Sequence, residues 1–324
     1  MSQNLSTRLD ENSIQGENFD SEALFRLAGA LRARGYSFTT PTPATHALVN
    51  ARPENAFAQD LRGVFGWSRE FSPSILPREI WDLLRESRAL SETENGFRAL
   101  VRLSSLGDCV FWHSAYPTTA SDAVFFGPDT YRFASALQEF FARRTRPVRR
   151  AIDIGCGAGP GAILCARNFA DAQVFGADIN NTALQFTRLN ARINNTKIEA
   201  RHSNLLNAFE GNFDLIVANP PYLVDASQRA YRHGGGPLGA GLSLQILETA
   251  LGRLEKGGVL VLYTGAAMCD GHDPFWEECQ KRLRDFSGRW NYREMDPDIF
   301  GEELETPAYN ACDRIAAVVL EVEN

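Results

Sequence analysis

No C-x-x-C pair occurs in this chain of 324 residues, and its six cysteines (Cys109, Cys156, Cys165, Cys269, Cys279 and Cys312) are scattered. That excludes the usual zinc-ribbon spacing and reads as reduced thiols rather than a disulfide framework. The five histidines show no ligand spacing either, so no metal is expected. No apolar run approaches the roughly 20 residues that cross a bilayer. The first twenty residues are polar and acidic, without the basic and apolar regions of a secretory leader. A cytoplasmic protein with no membrane partner is expected. A basic surplus is missing as well: 33 Lys and Arg face 40 Asp and Glu, a net charge of −7. Phosphate-driven, non-specific nucleic-acid binding is therefore disfavoured. The local exception is Arg143, Arg144, Arg146, Arg149 and Arg150 in FARRTRPVRR. It reads as a solvated helix end before a buried strand, with a nucleic-acid contact as the alternative.

What is present is a globular composition, 44% hydrophobic and 23% charged. The chain divides near residue 147. Residues 1–20 read as a mobile tail, 21–146 as a smaller, mostly helical accessory region for substrate recognition, and 147–324 as an α/β domain. In the last, short apolar runs alternate with amphipathic stretches, the pattern of a parallel sheet covered by helices. Strands are expected at 151–154, 173–177, 197–202, 213–218, 259–263, 290–295 and 314–322, the last two forming an antiparallel hairpin. Helices are expected from about 161, and at 181–194, 242–254 and 274–286. Before the boundary, 22–34, 77–86 and 131–143 read as helices, 98–103 and 109–113 as a strand pair, and 123–126 as a further short strand.

Asp153-Ile-Gly155-Cys156-Gly157-Ala-Gly159-Pro-Gly161 follows the first strand of that domain and opens a helix. Its glycines permit a sharp turn and close approach of a ligand, and the helix start presents free N–H groups. A dinucleotide site uses the same physics, and Gly157-x-Gly159-x-x-Ala162 meets the looser dinucleotide fingerprint. Asp153 discriminates. A carboxylate there can accept from the ammonium of an amino-acid moiety, such as the methionine part of S-adenosylmethionine (SAM), whereas a pyrophosphate would gain nothing from it. Cys156 reads as a small residue facing backbone. Asp178 ends the second strand, where it can take both ribose hydroxyls. Asn204 follows the third strand, where its side-chain oxygen can accept from an adenine amino group. Ile179 and Leu205 stand beside these two.

Asn219-Pro220-Pro221-Tyr222 follows the fourth strand directly, at the end where open α/β sheets bind ligands. An amide or exocyclic amino nitrogen is a poor nucleophile because its lone pair is delocalised. The Asn219 side-chain oxygen and the Pro220 carbonyl can draw its N–H bonds out of plane, and Tyr222 can stack on the planar group.

Together these motifs resemble class I SAM-dependent methyltransferases of the Asn-Pro-Pro-Tyr type, which include release-factor glutamine and adenine-N6 methyltransferases. The resemblance covers residues 149–322. It implies a Rossmann-like, seven-stranded sheet of order 3-2-1-4-5-7-6 with strand 7 antiparallel, and SAM as cofactor. Carried over by position, Asp153, Gly155 and Gly157 line the methionine side, Asp178 the ribose and Asn204 the adenine, although many relatives carry Asp at that last place. Asn219 to Tyr222 would hold the acceptor nitrogen. Phe126-Gly-Pro-Asp129-Thr130 resembles the segment these enzymes place beside SAM, implying a cofactor-side role for Asp129 and Thr130.

The acceptor is less specified. A glycine-rich stretch, Tyr231 to Gly239, is similar to one near the acceptor in protein-glutamine methyltransferases, with Arg232 and His233 as candidate contacts. The acidic loop GEELETPAY (Glu302, Glu303, Glu305) would tolerate a basic peptide and repel phosphates. The reading tilts toward a protein glutamine. Alternatives are adenine-N6 or guanine-N2 of RNA or DNA, a small molecule, a catalytically silent SAM-fold scaffold, and a nicotinamide-dependent oxidoreductase.

Overall fold

The computed structural model describes residues 19–225, 229 and 231–324. The expected tail thus lies almost wholly outside the described residues; Asp20 is already the N-cap of the first helix, accepting from Ala23 N at 2.9 Å.

The N-terminal region runs through α1 (Ser21–Ala33), α2 (Pro43–Asn50), α3 (Leu61–Phe65), α4 (Arg78–Glu86) and two hairpins, β1 (Leu90–Thr93) with β2 (Gly96–Ala99) and β3 (Val101–Leu106) with β4 (Cys109–Ser114). Then α5 (Pro128–Arg143) leads into alternating β and α: β5 (Arg150–Ile154), α6 (Pro160–Asn168), β6 (Gln173–Asp178), α7 (Asn181–Ile193), β7 (Glu199–His202), β8 (Phe213–Ala218), α8 (Gly241–Leu251), β9 (Leu254–Met268), α9 (Pro274–Leu283), β10 (Arg289–Asp296) and β11 (Arg314–Glu323).

Strands β5 to β11 form one sheet in the order β10-β11-β9-β8-β5-β6-β7. Numbered within the domain, this is 3-2-1-4-5-7-6 read from the other edge. β5, β6, β7, β8 and β9 run parallel, and β11 is antiparallel to both β9 and β10. The central strands are apolar on both faces, as a sheet covered by helices on each side requires. One face carries Leu206, Phe213, Ile246, Leu247 and Phe275; the other carries Phe133, Leu137, Ala162, Val217 and Val261.

The N-terminal region shares its core with this domain. Leu24, Leu27 and Leu31 of α1, Phe111 and Trp112 of β4, and Phe186, Leu189 and Ile193 of α7 belong to one buried cluster. The junction is polar as well as apolar. Asn190 of α7 accepts from Trp112 N at 2.8 Å and donates to Trp112 O at 2.9 Å; Asn194 does the same to Val110 at 3.1 and 2.8 Å. Two side-chain amides thereby complete the backbone bonding of an edge strand that would otherwise be buried unpaired. Asn190 also donates to Ala158 O at 2.9 Å, tying this junction to the glycine loop.

Three expectations need correction. Residues 123–126 are extended but form no strand: Val124 exchanges only a side-chain and a backbone bond with Ser114, because Gly127 immediately starts α5. β9 begins at Leu254, so that leucine belongs to a strand and not to the preceding helix; Gly257, at φ +75°, lets the strand turn and continue. Finally, Cys269 and Cys312 are joined as a disulfide. They lie 43 residues apart, and the pairing of Arg314 with Met268 across β11 and β9 brings their chains side by side. No described helix is long and apolar enough to cross a membrane.

Candidate active site

β5 ends in a loop whose shape is set by left-handed glycines. Gly155 and Gly157 have φ of +69° and +54°, and the N–H groups of Gly155 and Cys156 both donate to Ala177 O, at 2.8 and 3.0 Å. This turns the loop across the end of β6. A Cβ at Gly155 would meet nothing within 4 Å, because the loop there faces an open cavity. Asp178, the last residue of β6, clasps the loop: its carboxylate accepts from Gly157 N and from Asn180 N, each at 2.9 Å. Asp153 sits beneath the start of α6, accepting from Ala162 N at 2.9 Å. A side chain at Gly161 would place its Cβ 2.7 Å from that carboxylate, so only glycine fits.

Burial acts on both carboxylates. It raises the Asp153 carboxyl to about 7, opposed by the N–H groups of Ala162 and Gly161 and reinforced by the charge of Asp178. Asp178 is raised for the same first reason, against three backbone N–H bonds. Two buried carboxylates whose charged forms burial disfavours face one cavity and form a site that a cationic ligand stabilises. A ligand bearing an ammonium and a sulfonium fits these residues.

Asn219 to Tyr222 emerges from β8 into the same space. Asp153, Gly155, Cys156, Gly157, Asp178, Ile179, Asn204, Leu205, Asn219, Pro220, Pro221, Tyr222 and Thr130 all line one cavity of about 220 Å³. Gly159 does not. At φ +86° it caps α6, and its Cα faces Thr187, where a Cβ would come within 3.2 Å. Its role is to shape the loop. Cys156 points below the loop, its thiol 3.3 Å from Thr187 Oγ1 and pushed well up by burial, which suits packing and not nucleophilic attack. The Tyr222 ring is buried. It lies flat on Gly265, where a side chain would collide with it, and meets Phe300 edge-on at 6.1 Å.

The glycine-rich stretch folds back along the chain just after Asn219 to Tyr222. Leu223 accepts from Gly234 N at 2.8 Å and donates to Arg232 O at 3.1 Å. Arg229 grips Asp225 at 2.5 Å, while Arg232 pairs with Glu303 of the acidic loop. His233 Nδ1 accepts from Asp225 N at 3.1 Å and serves the turn. That acidic loop approaches the cavity without lining it: Phe300, just before the loop, is a lining residue, and Tyr309 Oη at its end accepts from Val224 N at 2.9 Å.

Several lining residues carry no signal in the sequence. Pro43, Phe125, Phe133, Leu242 and Phe300 are apolar and come from separated elements, so no local pattern marks them. Tyr263 is more visible, a hydroxyl within the apolar strand VLVLYTG. It is buried, and its Oη donates to Asp129 Oδ1 at 2.7 Å.

Residues 125–268 match the family model described as Methyltransferase small domain. The sheet order described above is that of class I methyltransferases. Similar curated proteins include the ribosomal protein uL3 glutamine methyltransferase of Bordetella pertussis, 38% identical over 36% of this chain and 44% of that protein. The release factor glutamine methyltransferase of Koribacter versatilis is 30% identical over 44% of this chain and 55% of its own length. A putative protein N5-glutamine methyltransferase of Methanocaldococcus jannaschii is 32% identical over 34% of this chain and 58% of its own length. The chain thus spans about half the length of the curated relatives it matches. The matched residues include the glycine loop and Asn219 to Tyr222.

Proposed function

We propose that the protein transfers the methyl group of SAM to the side-chain amide nitrogen of a glutamine in a protein acceptor. The observation that carries this reading is the single cavity shared by Asp153, Asp178 and Asn219 to Tyr222. When bound, SAM supplies an electrophilic methyl on a sulfonium sulfur. Asp153 holds the ammonium, Asp178 the ribose hydroxyls and Asn204 the adenine edge. Asn219 Oδ1 and the Pro220 carbonyl accept the two N–H bonds of the acceptor amide and aim its lone pair at the cofactor side of the cavity. The rate gain comes from positioning and preorganised dipoles. No strong base is required beforehand, because the amide proton becomes acidic once the nitrogen is methylated.

Charge at the cavity mouth favours a protein over a nucleic acid. Arg229 and Arg232 are matched by Asp225 and Glu303, leaving little positive field for a phosphate backbone. The five-arginine cluster runs from the end of α5 to the first residue of β5, at the other end of the sheet. The relatives named above are glutamine methyltransferases, which supports the same acceptor. Residues 21–146 are assigned to acceptor recognition, since Pro43 and Ala123 to Phe125 line the cavity beside Tyr231.

The test is transfer of labelled methyl from SAM into a cell extract. Label lost to protease and retained after nuclease is expected; the converse would replace the glutamine with a base.

A further inference from the structure

Beneath the acceptor side of the cavity lies a buried polar cluster that the proposed chemistry leaves unused. Asp129, at the second position of α5, is 5% exposed and lines the cavity. Its Oδ1 accepts from Tyr263 Oη at 2.7 Å and from Arg132 at 3.4 Å. Arg132 in turn donates to Asp296 at 2.9 Å, so the guanidinium bridges two carboxylates and fixes Asp129 from the far side. Three elements, α5, β9 and β10, converge on this one carboxylate.

Tyr222 stands beside this arrangement without completing it. Its hydroxyl is buried without a hydrogen-bond partner among the described residues. A buried phenol usually finds one. His46, Thr93, Arg98, His113 and Arg144 also carry a buried side-chain atom without a partner among the described residues, but of these six residues Tyr222 alone lines the cavity. Burial opposes ionisation of that phenol first, and the charges of Asp129 and Tyr263 oppose it further; Asp129 stands close enough to act on it as a hydrogen-bond acceptor, although the two make no bond of normal geometry. The Asp129 carboxyl itself is raised by burial and drawn back by Tyr263, Tyr222 and Arg132. The Tyr222 ring packs over Gly265, where a Cβ would lie 2.3 Å from it, and meets Phe300 edge-on.

We propose that Asp129, held by Tyr263 and Arg132, is the positioning residue for Tyr222: when the cavity fills, its carboxylate accepts a hydrogen bond from Tyr222 Oη and fixes the ring that packs against the acceptor amide. The carboxylate makes no contact with the reacting atoms and acts only through the tyrosine. The kinetic part of this inference rests on the glutamine reading above; the structural part does not.

A double-mutant cycle on the full chain tests it, using Tyr222→Phe, Asp129→Asn and the double variant. Both replacements keep size. In Asp129→Asn the single amide oxygen would already be occupied by Tyr263 and Arg132. Each single change should lower kcat roughly tenfold, as for loss of one hydrogen bond to a charged group, and the double change no further, because both remove the same bond. SAM affinity by calorimetry should stay within about threefold, and Asp129→Glu should recover part of kcat. A general structural role would instead weaken SAM binding and kcat together. Losses that multiply in the double variant, or a Tyr222→Phe enzyme as fast as the parent, would overturn the proposal. If the unmodified protein labels no glutamine, the acceptor reading fails by itself. The cycle is then read on unfolding with saturating S-adenosylhomocysteine, where coupling between the two positions upholds the Tyr222–Asp129 bond and additivity ends it.

Discussion

The two ends of the central sheet use polar groups in opposite ways. At the end where β5, β6 and β8 finish, the polar groups are buried and incompletely matched: Asp153 and Asp178 carry raised pKa values, and the Tyr222 hydroxyl has no partner among the described residues. At the other end most polar groups close the chain's own turns, Arg144 Nε being buried without a partner among the described residues. Arg150 donates to Asn212 O and Glu210 O at 2.9 and 3.0 Å and lies 4.8 Å above the Phe213 ring. The N–H groups of Arg149 and Arg150 share Asp214, Arg144 donates to Gly257 O at 2.9 Å, and Arg143 pairs with Glu321. A dense run of charge is therefore less informative about function than a few charges the fold leaves unmatched.

The contrast can be broken most decisively at Asn219. Asn219→Ala should lower turnover by about 10²–10³-fold, the cost of losing one preorganised acceptor at the reacting group. SAM affinity, measured calorimetrically, should move only a few-fold. A variant that still turns over normally would remove the catalytic meaning of the segment.

A smaller effect sharpens the contrast at the buried carboxylates. Burial lifts Asp153 to about 7 in the ligand-free protein. A raised folded pKa stabilises the protonated form, so this contribution is full below the unfolded value and lost as pH rises through about 7. An ammonium ligand favours the ionised form. SAM affinity should therefore climb with pH, by up to roughly tenfold per unit below about 7, and level off above it. The rise in Asp178, of the same sign, acts in the same direction. Asp153→Asn should flatten the profile, and a flat profile in the parent protein would mean that Asp153 is already ionised.

The smallest effect on function belongs to the arginine end. Arg150→Ala should cost about 1–3 kcal/mol of stability, from charged hydrogen bonds to two carbonyls, with kcat unchanged in an assay at the same folded concentration. A drop in kcat without loss of stability would give that end a part in the reaction.

Most of the α/β domain was legible because β5, β6 and β8 are short apolar runs, and the sheet order followed from the resemblance. Boundaries slipped where one residue served two patterns: Leu254 continues the helical spacing of Leu244, Leu247 and Leu251, yet pairs with Phe213 in the sheet. The pairing of Cys269 with Cys312 was hidden because it depends on register between strands β9 and β11. The asparagines that dock α7 on β4 read as ordinary helix-surface residues, since their partners lie about 80 positions away. In the site, residues on loops after consecutive strands could be named from sequence. Asp129 could be flagged as well, but its link to Tyr263, 134 residues on, needed the fold.

The most direct measurement is the position of the methyl group in the labelled acceptor. The protein fraction labelled from SAM would be digested and its peptides fragmented by mass spectrometry. One added methyl is expected on the side-chain nitrogen of a glutamine, absent when Asn219→Ala replaces the parent enzyme. Label on a nucleobase, or on a protein residue without a planar amide nitrogen, would contradict the glutamine assignment.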